Sequence, residues 1–176
     1  MKLQSLERCR LTIGSYPPFI YNASGGGGEA LLLSSQKNNL LCVTFSSKSF
    51  SIPPLCSKTT KFLSIPLPPG LKITMSMDKL EGTIDKNSGE VFLEFESKFL
   101  FSIGTILKFP DLIVKTFLQT GKVKSKLHQA EGLVLQNDGN TKLVGIAIIP
   151  QTGNKLLDTF LNLPNEALAE LRCKIK

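Results

Sequence analysis

The stretch "KLEGTIDKNSGEVFLEFESKFLFSI", Lys79 to Ile103, places two segments of alternating apolar residues on either side of a turn. Its centre, Asp85 to Gly89, favours a turn because Asp and Asn bond nearby backbone groups and Gly accepts positive φ. Beyond the turn the alternation has a period of two, which sorts side chains onto the two faces of a strand. One face holds Val91, Leu93, Phe95, Phe99 and Phe101, and the other holds Phe92, Glu94, Glu96 and Lys98. The stretch therefore predicts a hairpin whose second strand is half buried.

Other segments carry the same strand signal. "RCRLTIG" alternates, while "LLCVTF" and "FLSI" are short apolar runs bounded by polar residues or proline, which is typical of strands. In "QNDGNT", Asp138 and Gly139 favour a two-residue hairpin turn between "EGLVLQ" and "TKLVGIAII". A further segment, "LKITMSM", directs four side chains to one face: Leu71, Ile73, Met75 and Met77.

Two segments in the C-terminal half contain apolar residues at helical spacing. "PDLIVKTFLQTG" is predicted as a strand, because its β-branched residues lower helix propensity. "NKLLDTFLNL" is predicted as a short helix with an apolar stripe of Leu156, Leu157, Phe160 and Leu161. "PNEALAE" is expected to add one helical turn, and "LRCKIK" to form a closing strand. Such a helix either closes one end of the fold or lies on a membrane.

Together these signals predict one mainly β domain over residues 1–176. We expect a single antiparallel β-barrel or a two-sheet sandwich with a short C-terminal helix. A chain of 176 residues is long enough to bury a core without a metal or disulfide. Its longest clear apolar run, "LVGIAII", is far shorter than the ~20 residues of a membrane span, so no transmembrane segment is expected.

The formal net charge of +7 favours anionic partners, such as a membrane surface or an acidic protein. The alternative is a general preference for lysine with no bearing on partners. Lys122, Lys124, Lys126 and His128 are spaced by two, so on a strand they would project from one face. We interpret the three lysines as a candidate anionic-surface site; the alternative is a solvated face pairing with Glu94 and Glu96. Nucleic-acid binding is not expected, since aromatic residues for base stacking are scarce beside these lysines.

Catalytic and metal chemistry have little support. The four cysteines form no C-x-x-C pair and His128 is the sole histidine, so neither a metal site nor a cofactor is expected. Cys42 and Cys173 lie in alternating apolar contexts that indicate buried structural thiols. A hydrolase or isomerase would have to use His128, which nothing else marks as a base. We therefore predict no catalytic residues.

Four consecutive glycines, Gly25 to Gly28, invite comparison with phosphate-binding loops. A P-loop requires Lys-Ser/Thr after the last glycine, and a dinucleotide loop requires a βαβ unit, and neither surrounds them. The glycines are interpreted as a bulge or tight bend that another strand approaches closely. A ligand-contacting loop is the alternative.

The segments "RLTIGSYPPFIYNASGGGGEA", "PLPPGLKI", "GEVFLEFESKFLF", "PDLIVKTFLQTG" and "KLVGIAIIPQTGNKLLDTFLNLPNEALAEL" resemble a family of uncharacterised proteins found in cyanobacteria and plastids. The resemblance covers nearly the whole chain. It implies a single domain and a link to oxygenic photosynthetic cells, but brings no activity and no site residues. The sequence lacks the N-terminal extension expected of an imported plastid protein, which favours a bacterial or plastid-encoded origin or a truncated chain.

These observations predict a non-enzymatic binding or accessory protein at the surface of the photosynthetic membrane. Its expected location is the cytoplasm or the plastid stroma, peripheral to the thylakoid membrane. The alternative is a soluble carrier of a small apolar ligand, such as a lipid, pigment or isoprenoid, held inside the β domain. The sequence leaves open whether that interior is packed or hollow, and it leaves the oligomeric state open.

Overall fold

The computed structural model of the chain describes residues 1–35 and 40–176, which form a mainly β structure with one short helix near the C-terminus. This part of the sequence prediction is confirmed. The strands are β1 (Lys2–Ser5), β2 (Cys9–Ile13), β3 (Phe19–Tyr21), β4 (Gly27–Ser35), β5 (Leu40–Phe45), β6 (Leu55–Cys56), β7 (Thr60–Phe62), β8 (Ile65–Pro66), β9 (Leu71–Asp85), β10 (Val91–Ile103), β11 (Leu107–Lys108), β12 (Leu112–Gln119), β13 (Lys122–Lys124), β14 (Gln129–Glu131), β15 (Asn140–Ile149) and β16 (Asn165–Ile175), and the helix is α1 (Lys155–Leu161).

The large antiparallel sheet returns to its own first strand. Its path runs β1-β4-β5-β9-β10-β12-β15-β16, and β16 then pairs with β1 through Leu3 and Ile175. Strands β12 and β15 pair through one residue pair in the described part of the chain, Gln119 with Val144. A side chain bridges this seam further along, where the Thr116 hydroxyl donates a 2.7 Å bond to the carbonyl oxygen of Ile146.

Extra strands are added at one end of this ring. The N-terminal part of β16 pairs with β2, Ala167 opposite Ile13, and the path then continues outward through β3, β7 and β8. Strand β6 pairs with the first residues of β9 at the same end. The β13–β14 hairpin forms a separate small sheet that lies beside β15.

The central hairpin forms as predicted. β9 and β10 pair antiparallel on either side of the turn, where the Asp85 carboxylate accepts a 2.8 Å bond from the N–H of Asn87. Val91 and Leu93 on β10 are buried, whereas Phe92 between them is 45% exposed. "PDLIVKTFLQTG" contains β12 and "LRCKIK" ends β16, so both strand predictions are confirmed. The turn at Asp138 is also present, although its first flank contributes only an isolated bridge at Leu133.

Two local predictions were wrong, and a third feature differs in detail. "PNEALAE" is not helical but forms the start of β16, because pairing with β15 and β2 on both edges overrides local propensity. "FLSI" is a hairpin tip rather than a strand, with Leu63 and Ser64 at φ of 50° and 66°. The apolar stripe of α1 divides between two faces: Leu157 and Leu161 are buried, whereas Leu156 and Phe160 are exposed.

The core consists of two clusters at opposite ends of the ring. One, which we call the packed end, lies where β9 finishes and β10 begins and includes Leu80, Ile84 and Leu93. The other, the helix end, lies where β9 begins and β10 finishes, and is joined there by Leu157 and Leu161 of α1. The helix is capped at its start by Asn154, whose side-chain oxygen accepts from the N–H of Leu157, and ends at Asn162 in the left-handed conformation.

The four-glycine run forms a bend at Gly25 and Gly26 and continues into β4 at Gly27 and Gly28, which another strand approaches closely, as predicted. Gly27 has φ of 124° and lies against β1, where a Cβ would overlap the carbonyl oxygen of Leu3. A Cβ on Gly28 would come within 2.9 Å of the Cα of Phe50. The glycine run also lines an open polar groove, so a role in contacting a ligand stays a prediction.

Candidate ligand-binding cavity

An apolar cavity of about 470 Å³ lies inside the helix end of the ring. Its wall is built from the starts of β9 and β12, the ends of β10 and β15, and the start of β16. The strands added by β3, β7 and β8 complete it, and Phe19 and Phe62 stack there with ring centroids 4.7 Å apart. This volume lies in the range of sites that hold one small molecule.

The cavity exists because two neighbouring strands carry small residues where they line it. Gly145 pairs with Ala169, and Ala147 pairs with Ala167, and all four line the cavity. At the packed end the same two strands instead carry larger apolar side chains that fill the interior, Leu143 and Leu171 among them. The change from large to small residues along β15 and β16 therefore leaves room that side chains do not occupy.

These small residues were not predicted as part of a site, although the sequence contains a signal for them. Small residues recur at a spacing of two in "GIA", Gly145 to Ala147, and in "ALA", Ala167 to Ala169. Each spacing of two predicts one strand face. That both faces point into one cavity depends on the pairing of β15 with β16, which residue spacing alone does not specify.

The polar side-chain groups at the cavity are already bonded. The Thr116 hydroxyl donates to Ile146, and the Tyr16 hydroxyl donates a 2.7 Å bond to the carbonyl oxygen of Phe160. The remaining lining side chains are apolar. The cavity therefore offers shape and apolar contact, and water can solvate a polar group only at its opening.

The opening lies between α1, the β2–β3 loop and the β7–β8 hairpin. Six of the lining residues are also exposed: Tyr16 at 41%, Leu63 at 63%, Ile65 at 68% and Phe160 at 62%, together with Pro66 and Pro68. Toward the packed end, a small second cavity of about 60 Å³ shares Phe95, Phe99 and three other lining residues with the first. These shared side chains form the floor of the larger cavity.

The three lysines predicted to bind an anionic surface are all exposed, but a single strand does not hold them. Lys122 and Lys124 lie on β13, whereas Lys126 lies in the bend that follows. Lys122 is 3.8 Å from Glu131 on the paired strand β14. The predicted alternative partners bond elsewhere, Glu94 to Lys79 at 2.6 Å and Glu96 to Lys115 at 2.9 Å.

His128 does not share the exposed lysine face, because it is buried, at 8% exposure, within the β13–β14 bend. Its Nε2 has no hydrogen-bond partner among the described residues. The nearby Ser125 hydroxyl donates a 2.5 Å bond to Glu166 and accepts from the His128 backbone N–H. That bond holds the pKa of Glu166 below its usual range. Ser125 is therefore engaged in anchoring the bend to β16 rather than poised against the imidazole as a nucleophile.

The cysteines occupy different environments. Cys173 is fully buried, and this burial together with the nearby Cys9 raises its pKa to about 12, as expected of a structural thiol. Cys42 is only half buried. Over residues 1–35 and 40–176, no group of three His, Cys, Asp or Glu side chains is arranged to hold a metal ion.

Comparison of the chain with protein-family models, with curated proteins and with solved structures finds no match in any of the three. Within the described ranges, no helix has both the length and the apolar character needed to cross a bilayer.

Proposed function

We propose that this protein is a non-enzymatic carrier that holds one small apolar ligand in the cavity at its helix end. The observation that carries this proposal is the wall of the cavity, in which apolar side chains enclose about 470 Å³. In this proposal the closed path of strands works as a β-barrel, rather than as a two-sheet sandwich, and its interior serves as the binding site.

The chemistry of the wall defines the class of ligand. Burying apolar ligand surface is worth roughly 25 cal/mol per Å², and this wall supplies few unbonded polar groups to compete with it. A lipid acyl chain or an isoprenoid chain fits these conditions, with any charged group at the opening. The aromatic side chains of Phe95, Phe99 and Phe101 supply flat apolar surface along one side.

The test is binding of the fluorescent fatty acid cis-parinaric acid by the wild-type protein and by a variant with a filled cavity. Ala147 lines the cavity and is only 4% exposed, so Ala147→Phe introduces a ring into the cavity. We expect probe affinity to fall at least about tenfold, since the ring occupies the ligand's volume.

The matched control is Ile148→Phe, the adjacent residue on the opposite face of β15, which is 63% exposed. It introduces the same side chain without entering the cavity and should bind the probe as the wild type does. A wild-type protein that does not bind the probe, or an Ala147→Phe variant that binds it unchanged, would contradict the proposal.

The location expected from the sequence stays part of this proposal. The resemblance to proteins of cyanobacteria and plastids supports a role in a photosynthetic cell, in the cytoplasm or the plastid stroma beside the thylakoid membrane. An accessory role at that membrane through Lys122, Lys124 and Lys126 is the second candidate. The exposure of all three side chains favours it.

A further inference from the structure

The opening of the cavity is surrounded by exposed apolar side chains on three separate segments, which we call the mouth rim. They are Leu63 and Ile65 of the β7–β8 hairpin, Ile106 and Leu107 at the β10–β11 tip, and Leu156 and Phe160 of α1, with exposures from 48% to 93%. Exposed apolar residues that cluster in this way indicate an interaction site.

The three segments extend from the same end of the ring. Leu63, Ile65 and Phe160 line the cavity itself. The β10–β11 tip is tied there by a 2.9 Å bond from the Gly104 N–H to the carbonyl oxygen of Gly70, which directly precedes the lining residue Leu71. Each segment is short and separate, so the rim presents several apolar projections rather than one flat face.

Each rim segment also carries a lysine beside its apolar residues. Lys61 precedes Leu63 by two residues, Lys108 follows Leu107, and Lys155 precedes Leu156. All three lysines are exposed, and none has an ion-pair partner in the part of the chain that the structure describes.

Acidic side chains near the rim offset this charge only partly. Asp158 on α1 accepts bonds from Thr152 and from the N–H of Gly153 and keeps its negative charge, so it offsets one of the three lysines. Asp111 lies exposed before β12. The mouth rim and the lysines beside it therefore combine apolar projections with three cations that have no ion-pair partner among the described residues, a combination that complements an anionic lipid surface.

We infer that the mouth rim docks on an anionic lipid bilayer, with its apolar side chains inserted among the acyl chains and its lysines at the headgroups. The inference rests on the proposed function, since the bilayer would be the source or the destination of the apolar ligand. Docking in this orientation joins the cavity to the hydrocarbon region, so the ligand moves between two apolar environments without crossing water. This assigns membrane contact to the rim rather than to the β13–β14 hairpin.

The test is co-sedimentation with vesicles of mixed phosphatidylcholine and phosphatidylglycerol, and with vesicles of phosphatidylcholine alone. Ile106→Glu/Leu156→Glu removes two rim side chains that do not line the cavity. Leu31→Glu/Leu32→Glu on β4 is the matched control, because its two leucines are 67% and 56% exposed and the charge change is the same. Urea unfolding of each variant verifies that the fold is retained.

A second pair of variants tests the lysines. Lys61→Gln/Lys108→Gln/Lys155→Gln removes the rim cations, and Lys122→Gln/Lys124→Gln/Lys126→Gln removes the same number from the β13–β14 region. We expect both rim variants to lose partitioning onto mixed vesicles by at least about tenfold, while both controls lose little. Wild-type binding should weaken at high salt and on vesicles without anionic lipid.

Four outcomes would overturn the inference: no wild-type binding to mixed vesicles at low salt, equal loss in a rim variant and its control, larger loss in a control, or a dimer in sedimentation that the rim variants dissociate. Binding of cis-parinaric acid without vesicles separates this inference from the proposed function. The rim variants should still bind the probe. Ala147→Phe should lose probe binding but should dock on vesicles as the wild type does.

Discussion

The hydroxyl of Tyr16 donates a 2.7 Å hydrogen bond to the main-chain carbonyl oxygen of Phe160. The bond joins the β2–β3 loop to the last turn of α1, and both residues line the opening of the cavity. Two segments far apart in the chain are thereby held together across the entrance. The bond faces water on one side, since Tyr16 is 41% exposed, so its contribution to overall stability is small.

Replacing this tyrosine with phenylalanine should therefore affect ligand release more than stability. Tyr16→Phe keeps the ring and removes the bond, so we expect the free energy of unfolding to fall by about 1 kcal/mol or less. Release of bound cis-parinaric acid should accelerate several-fold in stopped-flow measurements, because α1 is held less firmly at the opening.

Thr141→Val is the control for this experiment. It removes a 2.7 Å bond to the carbonyl oxygen of Leu133 at the packed end, away from the cavity. It should lower stability without changing the release rate. Equal release from wild type and Tyr16→Phe would show that the bond does not restrain the entrance.

Truncation of a side chain should lower the free energy of unfolding more at the packed end than beside the cavity. Leu93→Ala, at a residue with 0% exposure, should lower the free energy of unfolding by about 3–5 kcal/mol. Ile73→Ala enlarges a cavity that already exists and removes contacts from one side only, so about 2 kcal/mol or less is expected. Urea unfolding measures both, and an equal cost would argue against an open interior at Ile73.

The glycine bend allows a matched pair of substitutions. Gly25 and Gly27 both have positive φ, 90° and 124°, so Ala at either position costs about 1–3 kcal/mol in backbone strain. Only at Gly27 would the new Cβ overlap Leu3, whereas nothing lies within 4 Å at Gly25. Gly27→Ala should thus lower the thermal unfolding midpoint more than Gly25→Ala. Similar midpoints would mean that β1 does not approach as closely as described.

The start of α1 should lose stability at low pH because of Asp158. A bond from the Thr152 hydroxyl and two from backbone N–H groups hold the pKa of this carboxyl below its usual value. Since the folded pKa is below the unfolded value of about 3.9, the stabilisation is complete above that pH and is lost as pH falls through the folded pKa.

Asp158→Asn provides the measurement. The difference in unfolding free energy between wild type and Asp158→Asn should be largest near neutral pH and should shrink below about pH 4. A difference that stays constant down to strongly acidic pH would show that the carboxylate charge does not stabilise this turn.

Much of the architecture could be predicted from local chemistry. The turn at Asp85 to Gly89, the two faces of β10 and the strand β12 follow from turn residues, a period of two and β-branching, each of which acts within a few residues. The bend at the glycines was predictable because a run without Cβ atoms suits close approach of another strand. These features reflect constraints that a short segment carries by itself.

Where the local preference of a segment disagrees with its strand pairing, the tertiary structure determined which conformation the segment adopts. "PNEALAE" became strand β16 because β15 and β2 bond both of its edges. His128 became buried because the β13–β14 bend is anchored to Glu166, about forty residues away along the chain, by the hydrogen bonds of Ser125 and Leu127. In both cases the determining partners lie outside any window that sequence periodicity samples.

The cavity shows the same division most clearly. By itself, the sequence determined that β10 carries a row of aromatic and aliphatic residues facing inward. Whether that row meets other side chains or open space was decided only by the assembled ring, which brings the small residues of "GIA" and "ALA" together in the same cavity wall. Packing density is a property of residues from distant segments that share one volume, so residue spacing along a single strand does not contain it.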